Sequence, residues 1–589
     1  MREFFKFMFA SMLGFILASL VVFVIFFAIV ASLISFTKKE TVIVPDKTIL
    51  MLSLDTPVND RAPESPFSTF NFNDMSASRQ LGLDEILSTL KNAAKDDKVK
   101  GIYLDLSVIP AGIATVEEIR NGLLEFKKSG KFIVSYSETY TQKSYYLASV
   151  ADKICLNPAG SMEFKGISGE VVFFKGMLDK LDIEAQVIRH GKFKSAVEPF
   201  LLDKMSEASK VQTLSYVTAI WDQVLKGISE SRKISREQLT QIADKLMVHT
   251  PQDAVDLKLV DKLMYKDELI EELKTRVGIS DANDLKIMKF GKYADAPSKN
   301  DSPASSGKIA VIFATGNIVS GEGDDNSIGS ERISKAIRKA RLDESVKAIV
   351  LRVNSPGGSA LASDVIWREV VLAKKAKPVV ASMGDVAASG GYYISCAANK
   401  IYASPNTITG SIGVFGIVPN MQQFFNQKLG ITFDGVKTNT YADYIPVTRP
   451  MSAEEKGFLT RDIENIYTTF ITHVSEGRKM PVASIDSIGQ GRVWSGTDAK
   501  KIGLIDEFGG LPDAVKEAAK LANLKNYRLM ELPVQKDPFT QIFEALSGDN
   551  TSILLKKELG PSYGIYQYLK NMSQLNGVQA LMPYDIEVR

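Results

Sequence analysis

Val99-Lys100-Gly101-Ile102-Tyr103-Leu104 recurs 247 residues later as Val346-Lys347-Ala348-Ile349-Val350-Leu351. Working outward, Ile86 and Leu90 match Ile333 and Ile337 at the same offset, on a helical spacing. Tyr145-Tyr146 matches Tyr392-Tyr393, again at 247. Ser229-Glu230 and Arg232-Lys233 match Ser475-Glu476 and Arg478-Lys479 at 246, and Asp253-Ala254, Leu259 and Asp261 match Asp498-Ala499, Leu504 and Asp506 at 245. An offset that drifts by two residues over about 175 is the mark of one domain present twice, not of chance.

Each copy alternates short apolar, β-rich runs with helical patterns. In the second copy Ile309–Phe313, Ala348–Val353 and Pro378–Ser382 read as strands, with helices over Ser330–Arg341 and Ser363–Lys375 between them. That alternation predicts an α/β fold with a mostly parallel sheet and crossover helices. Ligands of such sheets bind on loops beyond the carboxyl ends of strands. Gly291–Gly307, rich in Ser, Pro, Asp and Lys, reads as a linker, and the polar Pro57–Arg79 as a long loop. The expected division is 1–40 anchor with short flanks, 47–290 first repeat, 291–307 linker, 308–535 second repeat and 536–589 C-terminal extension. The extension fits neither repeat, and the expectation is that it docks on a neighbouring subunit or stays mobile.

From Phe7 to Thr37 no residue is charged, a run framed by Arg2 and Lys6 before it and Lys38 and Lys39 after it. A bilayer core needs roughly 20 apolar residues, whereas the apolar part of a cleaved signal peptide has about 7–15. The run predicts an uncleaved single anchor. Two basic residues on each side leave its orientation undecided. The remaining composition narrows the chemistry. A formal net charge of +2 on 589 residues gives no reason to expect nucleic acid as the main partner. Two cysteines, Cys155 and Cys396, and three histidines, His190, His249 and His473, are too few for a disulfide framework and leave little for a metal site. No G-x-x-x-x-G-K-[ST] motif is present, and the Gly321-Glu322-Gly323-Asp324-Asp325 loop is acidic, so neither a nucleotide nor any other cofactor is expected.

Two loops of the second copy carry the chemistry. Asn354-Ser355-Pro356-Gly357-Gly358-Ser359 follows one strand, and its glycines beside a proline leave backbone N–H groups uncovered for an oxyanion. Met383-Gly384-Asp385-Val386-Ala387-Ala388-Ser389-Gly390-Gly391-Tyr392-Tyr393 follows the next, with Ser389 among tiny residues at an expected helix start. Alone each is a tight turn; together they point to a nucleophile with an oxyanion hole. The first copy has Ser107-Val108-Ile109-Pro110-Ala111 opposite the double glycine and Gln142 or Lys143 opposite Ser389, so it cannot form this site. In turn its His190-Gly191-Lys192-Phe193-Lys194-Ser195-Ala196-Val197-Glu198-Pro199-Phe200 has no match in Lys437–Pro446. One composite site, with a part from each copy, follows. A serine needs a base, and the residues alone leave two: His190, or Lys194 if desolvation lowers its pKa by up to about 3–5 units.

The segments Lys194-Ser195-Ala196-Val197-Glu198-Pro199-Phe200, Asn354-Ser355-Pro356-Gly357-Gly358, Gly384-Asp385 with Ala387-Ala388-Ser389-Gly390-Gly391-Tyr392, and Thr409-Gly410-Ser411-Ile412-Gly413 occur in this order. With the repeat and the anchor, the chain over roughly Lys47 to Gln535 resembles the long form of the signal peptide peptidase A (protease IV) family. The resemblance implies tandem Clp-protease/crotonase-like α/β domains behind an N-terminal transmembrane helix. It implies an ATP-independent serine endopeptidase with Ser389 as nucleophile, Lys194 as general base, Ser411 orienting the lysine, and Gly357, Gly358 and Gly390 as oxyanion-hole donors. No metal is expected. The implied substrates are cleaved signal peptides and other short or unfolded peptides. The implied setting is a homotetramer on the extracytoplasmic side of the cytoplasmic membrane. Two other readings stay open on the residues: a crotonase-type enzyme acting on an acyl-CoA, and a non-catalytic membrane scaffold. Whether Lys194 meets Ser389 of its own chain or of a neighbour is also open.

Overall fold

The apolar runs of the two copies lie at 0–1% exposure in parallel strands, with Ile49, Ile102 and Ile133 in one copy and Ile309, Ile349 and Val380 in the other. They belong to a computed structural model that describes residues 2–37, 42–62, 70–71, 76–77, 80–280, 285–297, 307–535 and 578–582. The first sheet has six parallel strands in the spatial order Lys262–Leu263, Lys153–Met162, Phe132–Tyr140, Val99–Asp105, Thr48–Leu52, Ile287–Lys289. The second has eight, built on Ile408–Gly410, Val379–Ala388, Val346–Ser355, Gly307–Thr315 and Tyr527–Leu532, with Val493–Ser495 antiparallel at one edge and Lys400–Ala403 and Glu507–Phe508 branching beside them. Strands starting at Val99, Phe132 and Lys153 recur at Val346, Val379 and Lys400, again 247 residues on.

The crossover helices follow from the same pattern. In Leu83–Lys95 the residues Ile86, Leu90 and Ala93 are buried, and in Ser330–Leu342 their counterparts are Ile333, Ile337 and Ala340. Spacing of three and four puts each trio on one face. Each buried Ile or Leu contributes about 1.5–3 kcal/mol. The expected helix from Ser363 begins earlier, at Ala360, and ends at Ala376. The expected strand at Pro378–Ser382 runs on to Ala388. Residues 383–388, read above as loop, are therefore strand: Val386, Ala387 and Ala388 pair onward with Ile408–Gly410, and Ser389 follows directly from the strand end.

A third sheet mixes the copies. Its order is Ser327–Gly329, Asn317–Val319, Gly357–Ser359, Gln579–Leu581, Phe415–Asn420, Glu184–Arg189. Residues 579–581 dock within their own chain, and for these three residues this differs from the expectation that the extension seats on a neighbour or stays mobile. The rest of that extension lies outside the described residues. So do 298–306 of the linker and 63–69, 72–75 and 78–79 of the long loop. The described part of the linker contains a short helix, Phe290–Ala294, and Gly307 already opens a strand. The apolar run forms a helix, Arg2–Thr37, whose stretch Arg2–Val24 has mean hydropathy 2.5 and is exposed. Lys38 and Lys39 lie outside the described residues.

The copies are joined through helix Ile113–Lys127 of the first. The Thr115 N–H and Oγ1 donate to the Asp385 carboxylate (2.9 and 2.6 Å). Glu117 accepts from Ser404 and Asn406, and Glu118 accepts from the Leu511 N–H (2.8 Å). Arg352 is wholly buried and pairs with Asp60 (2.7 Å) and Glu118 (2.7 Å), both from the first copy. Such a pair holds position by geometry, since desolvation offsets most of its attraction.

Candidate active site

Ser389 is the junction between strand Val379–Ala388 and helix Gly390–Ser395. Its backbone stands at φ 53°, ψ −112°, off the ordinary regions for an L-residue. Strain of that kind persists where surroundings over-determine it, as at functional sites. Its N–H donates to Gly410 O (2.7 Å), and the helix starts at once because the next two residues have no side chain. A Cβ on Gly390 would lie 2.6 Å from Ser363 Oγ, and one on Gly391 2.7 Å from Ser355 O.

Lys194 reaches this serine from the first copy of the same chain. It follows strand Glu184–Arg189 and precedes the short turn Ser195–Val197. Its Nζ lies 2.9 Å from Ser389 Oγ and donates to Ser411 Oγ (3.0 Å) and Ser411 O (3.2 Å). Lys194, Ser389 and Ser411 are each at 0% exposure. Burial pushes the lysine pKa well below its ordinary range, because no carboxylate among the described residues compensates for the lost water. When deprotonated, the amine has two hydrogens for the two oxygens of Ser411 and a lone pair free to accept from the Ser389 hydroxyl.

Glycine backbone lets the lysine in. At Gly491, φ is +75° and a Cβ would lie 2.6 Å from Lys194 Cβ. The turn itself is held by a residue the sequence reading missed. The Gln212 amide donates to Ser195 Oγ (2.7 Å) and Phe193 O (3.1 Å), while its Oε1 accepts from Val493 N–H (3.2 Å). Gln212 thereby ties the lysine turn to the second copy's edge strand. A buried glutamine in helix Glu207–Arg232 carries no motif to reveal it. Asp60, Glu118 and Arg352 were missed too, although an arginine inside the apolar run Ala348–Val353 is a readable signal.

Gly357 and Gly358 stand at φ +108° and +151°, which only glycine adopts without strain. The Gly357 amide donates to Ser355 Oγ (3.1 Å), and a Cβ at Gly357 would lie 2.7 Å from Gly390 N, so this turn and the start of the serine helix are in contact. His190, the other base considered, is not at the serine. Its Nδ1 bonds the Glu464 carboxylate (2.9 Å) and its ring stacks on Tyr467 at 3.7 Å.

A sequence profile described as Peptidase family S49 matches residues 125–280 and 372–525. Protease 4 of Salmonella typhi is 39% identical over 80% of this chain and 77% of its own length. Protease 4 of Haemophilus influenzae is 34% identical over 85% and 84%. The chloroplastic serine protease SPPA of Arabidopsis thaliana is 33% identical over 85% and 74%.

Proposed function

The chain belongs to peptidase family S49 as a serine protease, and from that premise we propose that Ser389 and Lys194 form its catalytic dyad. The observation that carries this reading is the 2.9 Å contact between Lys194 Nζ and Ser389 Oγ, wholly buried and, among the described residues, without a charged partner. Neutral Lys194 takes the Ser389 proton as Oγ attacks a peptide carbonyl. The oxyanion is met by the N–H groups of Gly390 and the Gly357-Gly358 turn. Of these, Gly357 must release Ser355 Oγ before it donates. The lysine ammonium, steadied by Ser411, protonates the leaving amine. Water then hydrolyses the acyl-enzyme by the same route in reverse.

The repeats act as tandem Clp-protease/crotonase-like domains, each incomplete, and their junction is the site. The enzyme works without ATP on cleaved signal peptides and other short or unfolded peptides. Helix Arg2–Thr37 anchors it in the cytoplasmic membrane with the catalytic body on the extracytoplasmic side, as a homotetramer. Support comes from the apolar helix and from relatives named as protease 4 and SPPA.

The test is hydrolysis of an apolar signal-peptide substrate by the full chain in detergent, in nucleotide-free buffer, followed by mass spectrometry. Folded Ser389→Ala and Lys194→Ala should each lose at least about 10³-fold in kcat. Activity surviving in Lys194→Ala would remove the lysine from the base role. No hydrolysis by the folded wild type would revive the acyl-CoA or scaffold reading.

A further inference from the structure

All strands of the first sheet run parallel, so they start at one edge. Four neighbours there are entered through lysines: Lys286 before Ile287–Lys289, Lys47 before Thr48–Leu52, Lys98 before Val99–Asp105 and Lys131 before Phe132–Tyr140. Strand pairing draws them into a row. The Thr48 N–H donates to Lys98 O and the Ile49 N–H to Lys286 O (both 2.9 Å). Gly101 pairs with Phe132, which sets Lys100 beside Lys131. At about 4.8 Å per strand the row is about 14 Å wide.

Its charge is not cancelled by ion pairs. The Lys47 ammonium donates to Gly278 O (3.0 Å), Lys98 to Val44 O (3.1 Å), Lys100 to Asp97 O (2.9 Å) and Lys131 to Ala93 O and Asp96 O (2.6 Å each). All of these acceptors are backbone carbonyls. Among the described residues none of the four, nor exposed Lys286, forms an ion pair with a carboxylate. Asp46, Asp96 and Asp97 lie among them, and Asp96 accepts from the Tyr293 hydroxyl and the Lys98 N–H (3.1 Å each). At the 247-residue offset Ser345, Lys347 and Pro378 stand opposite Lys98, Lys100 and Lys131, so one lysine of these three is kept. The full row belongs to the copy that follows the apolar helix.

Chain length limits what this edge can face. Val42 stands five residues past Thr37, the last residue of that helix. A chain spans at most about 3.6 Å per residue, so Val42 lies within about 18 Å of the helix end by any path. Val42, Ile43 and Val44 then line a cavity of about 250 Å³ together with Asn92, Lys95 and Lys98. Apolar chain and ammonium groups thus meet beside the row, a lining suited to an amphiphile with an anionic head.

We infer that this edge is a second membrane contact: Lys47, Lys98, Lys100, Lys131 and Lys286 rest on anionic phospholipid headgroups of the bilayer that holds helix Arg2–Thr37. The inference rests on reading that helix as the anchor. The contact fixes the tilt of the body over the bilayer, which one helix and a short tether leave free. A lysine close to an anionic surface is worth about fivefold in affinity, and the attraction fades beyond a Debye length of about 8–10 Å.

The test places the full chain in lipid nanodiscs of phosphatidylcholine, alone or mixed with phosphatidylglycerol. Lysines are acetylated briefly and their labelling rates read by mass spectrometry, with exposed Lys456 of helix Ala453–Arg478 as reference. Lys47, Lys98 and Lys286 should label about fivefold more slowly in the anionic discs, and about 1 M NaCl should remove the difference. Equal labelling in the two discs, or slowing that salt leaves intact, overturns the inference. Combining Lys47→Gln, Lys98→Gln and Lys286→Gln should weaken the contact on the order of 100-fold and restore labelling at Lys100. A Lys100 that stays slow in the folded triple variant also overturns it, and the wild-type comparison stands whether or not that variant folds. If the full chain fails to float with phosphatidylcholine vesicles, the anchor reading has failed; if it floats but labels equally in both discs, only the edge contact has.

Discussion

A lysine amine at 0% exposure with serine oxygens as its hydrogen-bond partners has two pH signatures. The first is kinetic. Lys194 serves as base only when deprotonated, and its pKa is depressed by burial, so kcat/KM should rise with pH through a value well below the ordinary lysine range. Lys194→Arg stays protonated and should be inactive at every pH, which a pH–rate profile checks. The second signature is in stability. The folded lysine is neutral over a window in which the unfolded chain binds an extra proton, so stability rises with pH from the depressed folded value up to the ordinary value near 10.4. Lys194→Met removes this burden. Its Tm should exceed that of the wild type at pH 7, with the gain shrinking towards pH 10. A gain independent of pH would contradict the buried neutral amine.

At the scale of the element, the site depends on how abruptly a strand becomes a helix. Gly391 is the second residue of the helix after Ser389, and a Cβ there would meet Ser355 O at 2.7 Å. Gly391→Ala should cost about 1–3 kcal/mol of stability by overpacking. Moving the serine by up to about 1 Å, it should lower kcat on the order of 100-fold. Helix Glu207–Arg232 acts on the other half through Gln212. Gln212→Ala loosens the turn that carries Lys194 and lets water approach the amine. The acid limb of the pH–rate profile should then move towards higher pH, with kcat falling more than KM rises. A fall in stability with an unmoved profile would reduce Gln212 to a structural role.

Across the whole molecule, the two copies share one site and are fastened by buried charge. Arg352 lies two residues before Asn354 in the strand leading to the glycine turn, and its carboxylates come from the other copy. Arg352→Met strands Asp60 and Glu118 and should cost about 3–5 kcal/mol, most of it recovered when Asp60→Asn and Glu118→Gln are added. Denaturant unfolding of the single and triple variants measures both. A second contact between the copies is sensitive to pH. Burial, then the charge of Glu531, pushes the Asp84 carboxyl up to about 7. A raised folded value stabilises below the unfolded pKa, near 4, and that contribution is lost as pH rises through 7. Asp84→Asn should therefore gain more in Tm over the wild type at pH 8 than at pH 5.

The sequence by itself determined the repeat, the alternation of strand and helix, the apolar helix and the residues that meet at the site. These are written in local signals: period, offset, and glycine beside a proline or a serine. Tertiary structure decided the rest. Strand Val379–Ala388 outruns its apolar stretch because Ile408–Gly410 pairs with its small-residue end, a partner that no local period encodes. The choice of Lys194 over His190 at the serine came from which side chain the chain path delivers to Ser389, and its lowered pKa from burial that only packing creates. Arg352, Gln212 and the strand at Gln579–Leu581 act through partners some 200 to 300 residues away. Contacts over such separations are set by how the sheets assemble, not by neighbouring residues.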